Sequence, residues 1–193
     1  MEKDYSLYTL VHETLSPTLK NIVYIVNKRS NNLYTEQLLM ALSAYKYGKG
    51  NREKSIQIVY DFLKENNINI DGLELYDGSG LSRTNMITPK IMTDILSLMT
   101  KNKSFDSFYN SLGIAGNKND ISFYKNFGSG TRIENNARIK SGLINGVRSH
   151  SGYVKNRSGR MIAFSLIANN YNGKVNEINK FHEAFIEALA ETE

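Results

Sequence analysis

The hydrophobic repeat of this chain changes period twice, and those changes constrain its fold more than any other feature. Up to about residue 112, apolar residues recur every three to four positions, the spacing of helices with one buried face. Residues 138–169 instead hold three short stretches that read as strands, at 138–141, 146–154 and 161–169. They are separated by Asn145-Gly146 and Arg157-Ser158-Gly159-Arg160, both hairpin signals. The helical repeat returns over residues 175–190, with Ile178, Phe181, Phe185, Ile186 and Leu189 on one face. Helices, then an antiparallel meander, then a closing helix define an α+β chain whose helices are segregated from a small sheet.

The helical part has its own punctuation. Ser16-Pro17 and Thr88-Pro89 each put a capping hydroxyl before a proline suited to the first helical position. After Pro17, Leu19, Ile22, Val23 and Val26 form a buried stripe that ends near Lys28. A second helix, 33–47, points Leu38, Leu39, Leu42 and Tyr45 inward and stops at Gly48 and Gly50. Asn51 caps a third, with Ile56, Val59, Phe62 and Leu63 inward, ending by Asn66-Asn67. An alternating stretch (68–76) and a turn-rich run (77–83) precede the Thr88 helix, which carries Ile91, Ile95, Leu98 and Met99 to about Thr100. Phe105, Phe108, Tyr109 and Leu112 predict a short helix, and the rest up to residue 134 reads as loop. A length of 193 residues is expected to form a single domain, residues 1–193. Its helical part is about 16–112, and its strands and closing helix are about 135–190.

Composition removes several classes of function. The absence of cysteine excludes disulfides, thiolate catalysis and zinc–thiolate sites. His12, His150 and His182 lack ligand spacing, and each reads as a surface or satisfied core residue, so no metal is expected. No phosphate-cradling glycine motif occurs, and no cofactor is expected. No apolar run approaches the roughly 18 residues of a membrane span. Residues 1–5 lack the basic and apolar regions of a secretion signal, so none is expected. The net charge of +5 is scattered, and the 12 tyrosines mostly follow helix-core spacing, so nucleic acid is not an expected partner. A nucleic-acid binder would betray itself by a steep salt dependence. An anionic wall polymer or a carboxylate substrate accounts for the charge equally well.

Two segments carry chemistry. Lys28-Arg29-Ser30-Asn31-Asn32 joins two amphipathic helices and presents a hydroxyl and two short amides from a rigid support. Read alone, Ser30 is the N-cap of the second helix. Lys140-Ser141-Gly142 lies near a strand end. Its lysine supplies charge for an anion, its hydroxyl can donate to the same carboxylate, and its glycine admits a ligand close to the backbone. The following N–H can point at a developing oxyanion.

Taken with Asp77-Gly78-Ser79-Gly80-Leu81-Ser82-Arg83-Thr84-Asn85, these segments resemble the C-terminal half of a known family. It is the D-alanyl-D-alanine carboxypeptidase/endopeptidase family, the class C low-molecular-mass penicillin-binding proteins. The resemblance runs from about Ser16 to the C-terminus. Gly159 to Ser165, with Asn169-Asn170-Tyr171, looks like the family's last strand. It implies the C-terminal part of a penicillin-binding-protein/β-lactamase-like transpeptidase fold, whose full domain has a five-stranded antiparallel sheet packed by helices on both sides; about three of those strands are read here.

The family's site combines SxxK, SxN and KTG motifs. By resemblance, Ser30 would pass a proton to the leaving amine and Asn32 would hold the substrate amide. Lys140 and Ser141 would bind the terminal carboxylate of D-Ala-D-Ala or of a β-lactam, beside Gly142, and the Leu143 N–H would be half of the oxyanion hole. Ser141 replaces the usual threonine and Leu143 a small hydroxyl residue. The SxxK motif is missing from its family position. Ser43-Ala44-Tyr45-Lys46 and Ser122-Phe123-Tyr124-Lys125 match its spacing only.

The resemblance therefore implies a serine enzyme of peptidoglycan stem peptides that works through an acyl-enzyme and is inhibited by β-lactams. It would act in the periplasm or elsewhere outside the cytoplasm. The N-terminal part of the family would supply the other strands and the nucleophile helix, so the chain would be a half that needs a partner, and strand 161–169 would be left as an exposed apolar edge prone to self-association. The alternative is a noncatalytic module that binds stem peptides or penicillin.

Overall fold

The computed structural model describes Ser6 and residues 8–193; the secretion-signal reading of residues 1–5 lies outside them. Helix α1 (Leu19–Arg29) begins later than Ser16-Pro17 implies. Thr18 is its N-cap and accepts the Asn21 N–H at 3.4 Å, so Pro17 lies in the extended lead-in. Helix α2 (Asn32–Tyr47) is capped by Asn31 rather than Ser30. The Asn31 side chain accepts the Tyr34 N–H at 3.0 Å. α2 stops at Gly48, whose φ of +74° favours glycine. α3 (Arg52–Glu65) is capped by Asn51 and α4 (Pro89–Met99) by Thr88, as their sequences predict. α5 (Phe105–Ser111) follows.

Several helix faces differ from the expected ones. In α2, Leu42 and Tyr45 are exposed, Tyr45 by 96%, while Leu39 and Ser43 are buried. The reason is polar docking of α2 on α3. Ser43 Oγ accepts the Asn51 N–H at 2.7 Å and donates to backbone carbonyls, and Ser55 Oγ accepts the Ser43 N–H at 3.3 Å. Leu19 and Phe62 also face outward. Tyr34, Tyr45, Tyr47 and Tyr76 are exposed too, so the core-spacing reading fails for them.

The sheet has order β1-β2-β3-β4, all antiparallel. The strands are β1 (Gly113–Ile114), β2 (Arg138–Ile144), β3 (Val147–Lys155) and β4 (Met161–Asn169). β1 was not legible in the loop-like sequence around it. The stretch 68–76 forms only an isolated bridge, Glu74 to Met86, rather than a strand. The sheet has four strands where the sequence reads about three, and among the described residues nothing pairs with the outer side of β4. β1 pairs only with Arg138 and Ile139, so β2 from Lys140 to Ile144 has one strand-free edge.

Side chains alternate across the sheet. On one face Ile139, Val154 and Phe164 meet Ile186 and Ala190 of α6 (Val175–Glu191). On the other, Tyr153 and Ala163 meet Leu96, Leu112 and the aromatic side chains of α5. The Tyr153 hydroxyl donates to the Leu96 carbonyl at 2.8 Å. In α6 the buried line is His182, Ile186 and Ala190, whereas Phe181 and Phe185, expected inward, are exposed. Among the described residues no helix is long and apolar enough to cross a membrane.

The α6 assignment is open to test. Ile186→Ala should cost about 2–5 kcal/mol of unfolding free energy, because the side chain is fully buried against both β3 and β4. Phe181→Ala should cost under about 0.5 kcal/mol. Urea denaturation of the two variants checks the difference.

Candidate active site

Ser30 ends α1 with φ 53° and ψ 51°, a left-handed conformation that costs an L-residue roughly 1–2 kcal/mol. That turn directs its hydroxyl toward β2. Lys140 Nζ donates to Ser30 Oγ at 2.8 Å and to the Ser141 carbonyl at 2.5 Å. The fold thus joins two residues separated by 110 positions, just where β1 ceases to cover β2. Asn32, Ser141, Gly142 and Leu143 line the same cleft, whose volume is about 1460 Å³. Leu143 points outward, 56% exposed. A smaller recess of about 390 Å³ opens against Ser30 and Lys140, with Val26, Met92, Leu96, Phe108 and Leu112 as its apolar lining.

The Asp77–Asn85 run forms one rim of the cleft, and it is organised from within. The Asp77 carboxylate accepts the Gly80 and Ser82 N–H groups, both at 2.6 Å, and the Asn85 amide at 2.9 Å. Burial works against ionisation of Asp77, but those donors outweigh it and hold its pKa below the usual carboxylate range. Glu36 of α2 pins the loop by accepting the Gly78 and Ser79 N–H groups at 3.1 and 3.0 Å. A Cβ at Gly78 would sit 2.7 Å from the Thr35 carbonyl oxygen, so only glycine lets the loop lie this close to α2.

Three contributors were missed in the sequence. Arg148 of β3 faces the cleft. It donates to Asn179 Oδ1 of α6 at 2.7 Å and to the Gly142 carbonyl at 3.4 Å. It also meets His150 Nε2 at 3.0 Å. A guanidinium only donates, so His150 Nε2 is the acceptor and the His150 proton sits on Nδ1. That proton bonds His182 Nδ1 at 2.9 Å. Burial, with Arg148 adding to it, pushes His150 down to about 2, so it stays neutral. The period of two along β3 places Arg148 and His150 on one face, and that alternation was the available signal. Tyr124 sits in the segment that read as loop. Burial raises its phenol to about 12, with Ser141 beside it pulling the other way.

Lys140 is held well below its ordinary titration range. Burial, reinforced by the Arg148 charge, lowers its pKa from 10.5 to about 8. Neither spacing match to the nucleophile motif is arranged for attack. Ser43 is fully buried between α2 and α3, and Ser122 is buried and donates to Asp120 at 2.5 Å. His150 and His182 meet in the core, whereas His12 is exposed beside Thr14. Among the described residues, no group of three or more His, Asp or Glu side chains could hold a metal.

A helix end carrying Ser30 against a strand edge carrying Lys140, over an antiparallel sheet packed by helices, places the chain in the penicillin-binding-protein/β-lactamase fold class. Residues 3–190 match the D-Ala-D-Ala carboxypeptidase 3 (S13) family, and the chain belongs to that family. It is 31% identical over 160 residues to the D-alanyl-D-alanine carboxypeptidase of Actinomadura sp. (strain R39), covering 82% of this chain and 30% of that one. It is also 31% identical over 166 residues to the D-alanyl-D-alanine carboxypeptidase DacB of Haemophilus influenzae, covering 84% and 34%. The crystal structure of that penicillin-binding protein 4, complexed with a β-lactam, superposes with a TM-score of 0.79 at 24% identity, covering 89% of this chain and 41% of that one. An extended-spectrum β-lactamase superposes with a TM-score of 0.62 at 15% identity, covering 90% and 63%. The chain spans about a third of the length of these curated relatives.

The lowered Lys140 pKa has a defined sign in stability. Unfolded, the ammonium titrates near 10.5; folded, it gives up its proton near 8. Between those values the unfolded state binds more protons, so stability rises with pH. Below pH 8 the fold bears the full cost of burying the charge. Lys140→Met should therefore raise the melting temperature at pH 7, and its advantage should shrink as pH rises from 8 to 10.5. Thermal melts across that range check it.

Proposed function

We propose that this chain forms the carboxylate-binding and proton-delivering side of a serine D-Ala-D-Ala carboxypeptidase/endopeptidase site for peptidoglycan stem peptides. The observation that carries the reading is the 2.8 Å bond from Lys140 Nζ to Ser30 Oγ beside an unpaired strand edge. Lys140, the Ser141 hydroxyl and Arg148 receive the terminal carboxylate of the substrate or of a β-lactam. Gly142 lets it approach the backbone, Asn32 holds the substrate amide, and the Leu143 N–H donates to the developing oxyanion. Ser30 hands a proton to the departing D-alanine amine and regains one from Lys140. A group that titrates near 8 exchanges protons readily close to neutral pH.

The acyl-enzyme needs a serine nucleophile that neither Ser43 nor Ser122 supplies, and in this reading another polypeptide segment presents it to the cleft. The apolar recess against Ser30 and Lys140 is suited to seat such a segment. The substrate is a wall polymer, so the site works outside the cytoplasm. The buried state of both serines also favours a second reading, in which the isolated chain binds stem peptides without cleaving them.

Intact mass after incubation with a β-lactam separates these readings. The chain alone should gain no drug mass. Adding a segment from a family member that carries the SxxK motif should restore an adduct of one drug molecule. An adduct on the chain alone would move the nucleophile to Ser43 or Ser122. Independently, binding of a peptide ending in D-Ala-D-Ala, followed by titration calorimetry, should weaken about 10–100-fold in Arg148→Ala, the worth of one hydrogen bond to a charged group. Unchanged affinity would remove Arg148 from the carboxylate pocket.

A further inference from the structure

Two residues before Ser30, the last turn of α1 carries a lysine that does not reach solvent. The Lys28 side chain is 2% exposed, and its Nζ lies 2.7 Å from Asp120 Oδ1. Asp120 is buried as well, and two further donors converge on its second oxygen. The Ile114 N–H of β1 bonds Oδ2 at 2.9 Å, and the Ser122 hydroxyl bonds it at 2.5 Å. One carboxylate thus ties together the end of α1, the strand that flanks β2, and the loop leading to Tyr124 under Ser141. A neighbouring bond runs in parallel, from Asn27 Nδ2 to Ser111 Oγ at 2.7 Å.

A buried ion pair is a poor source of net stability, because desolvation of both charges cancels most of their attraction. What it supplies is geometry, since a buried charge tolerates only positions in which its partner faces it. The distance between the α1 end and β2 is the one that the Ser30–Lys140 bond requires. Burial, with the Arg138 charge adding to it, holds Lys28 below the usual ammonium range against the opposing pull of Asp120. Burial opposes ionisation of Asp120, but Lys28, Ser122 and the Ile114 N–H outweigh it and hold it below the usual carboxylate range.

We propose that Lys28 and Asp120 are positioning residues of the cleft: their ion pair locks the end of α1 to the β1 loop and so holds Ser30 at hydrogen-bond distance from Lys140. The inference rests on the function proposed above only in giving that bond a catalytic purpose.

The test is the full chain with Lys28→Met and Asp120→Asn together, which leaves no lone buried charge. Two readouts are followed, the side-chain titration of Lys140 by heteronuclear NMR and calorimetric binding of a peptide ending in D-Ala-D-Ala. The folded double variant should titrate Lys140 about one pH unit or more above the wild type, as the freed α1 end admits water. It should bind the peptide at least about tenfold more weakly. Asp120→Glu keeps both charges but moves the anchor by one methylene; it should shift the Lys140 titration in the same direction. Unchanged titration in either folded variant overturns the proposal. If the wild type binds no such peptide, the proposed function fails, while the titration still decides the role of the pair.

Discussion

The structure depends on one unequal pairing. β2 is bonded to β3 along its whole length, yet β1 covers only its first two residues. The cause is local. Helix α5 runs to Ser111 with Leu112 as its C-cap, so the chain becomes a strand only at Gly113, which pairs with Ile139, and it moves away from Lys140 as Ile114 pairs with Arg138. The chain therefore joins the sheet only opposite Ile139, one residue short of Lys140. A strand exposing backbone donors and acceptors invites another extended chain. Here that stretch is flanked by the Ser30 turn and the Asp77 loop, so access is confined to a cleft.

The second constraint is charge. Lys140 and Arg148 are both partly buried, and the Arg148 charge adds to burial in lowering the pKa of Lys140. The fold answers Arg148 with neutral acceptors: a carbonyl, an amide oxygen and an imidazole nitrogen. A carboxylate placed beside them would have neutralised the cations and left nothing for an anion to meet. The neutral pair His150–His182 satisfies one of those donors without cancelling its charge. An arrangement that sacrifices stability while keeping cationic charge available is what an anion-binding site demands.

How legible this was in the sequence varied with the kind of information. Helix ends at Gly48, Asn51 and Thr88 were readable because capping is local chemistry, carried by the residues at the boundary. Helix faces were less so. Leu42, Phe62, Phe181 and Phe185 are apolar at core spacing yet exposed, because the partner decides which stripe is covered, and hydrophobicity alone cannot name the partner. β1 escaped notice because a two-residue strand has no period. Ser30 and Lys140 were picked out by short motifs, but their meeting is a property of the tertiary fold. Tyr124, Arg148 and Asn179 belong to no such motif, and only the packing of α6 and the 115–134 loop brings them to the cleft.

In the proposed function, holding a carboxylate and cleaving an amide are separable tasks. Lys140, Ser141 and Arg148 sit on adjacent strands of one hairpin, with registers fixed by cross-strand pairs from Arg138–Tyr153 to Ile144–Val147. Their backbone geometry is set within the hairpin, and Asn179 of α6 fixes the Arg148 side chain. Ser30 belongs to a helix end instead, and its position relative to the hairpin is set by side-chain contacts across an interface. Rigid strands suit a site that must recognise a fixed anion, whereas a proton donor must also follow the leaving group as bonds change. In that reading recognition rests on the sheet, and reactivity on how firmly helices and nucleophile are held against it.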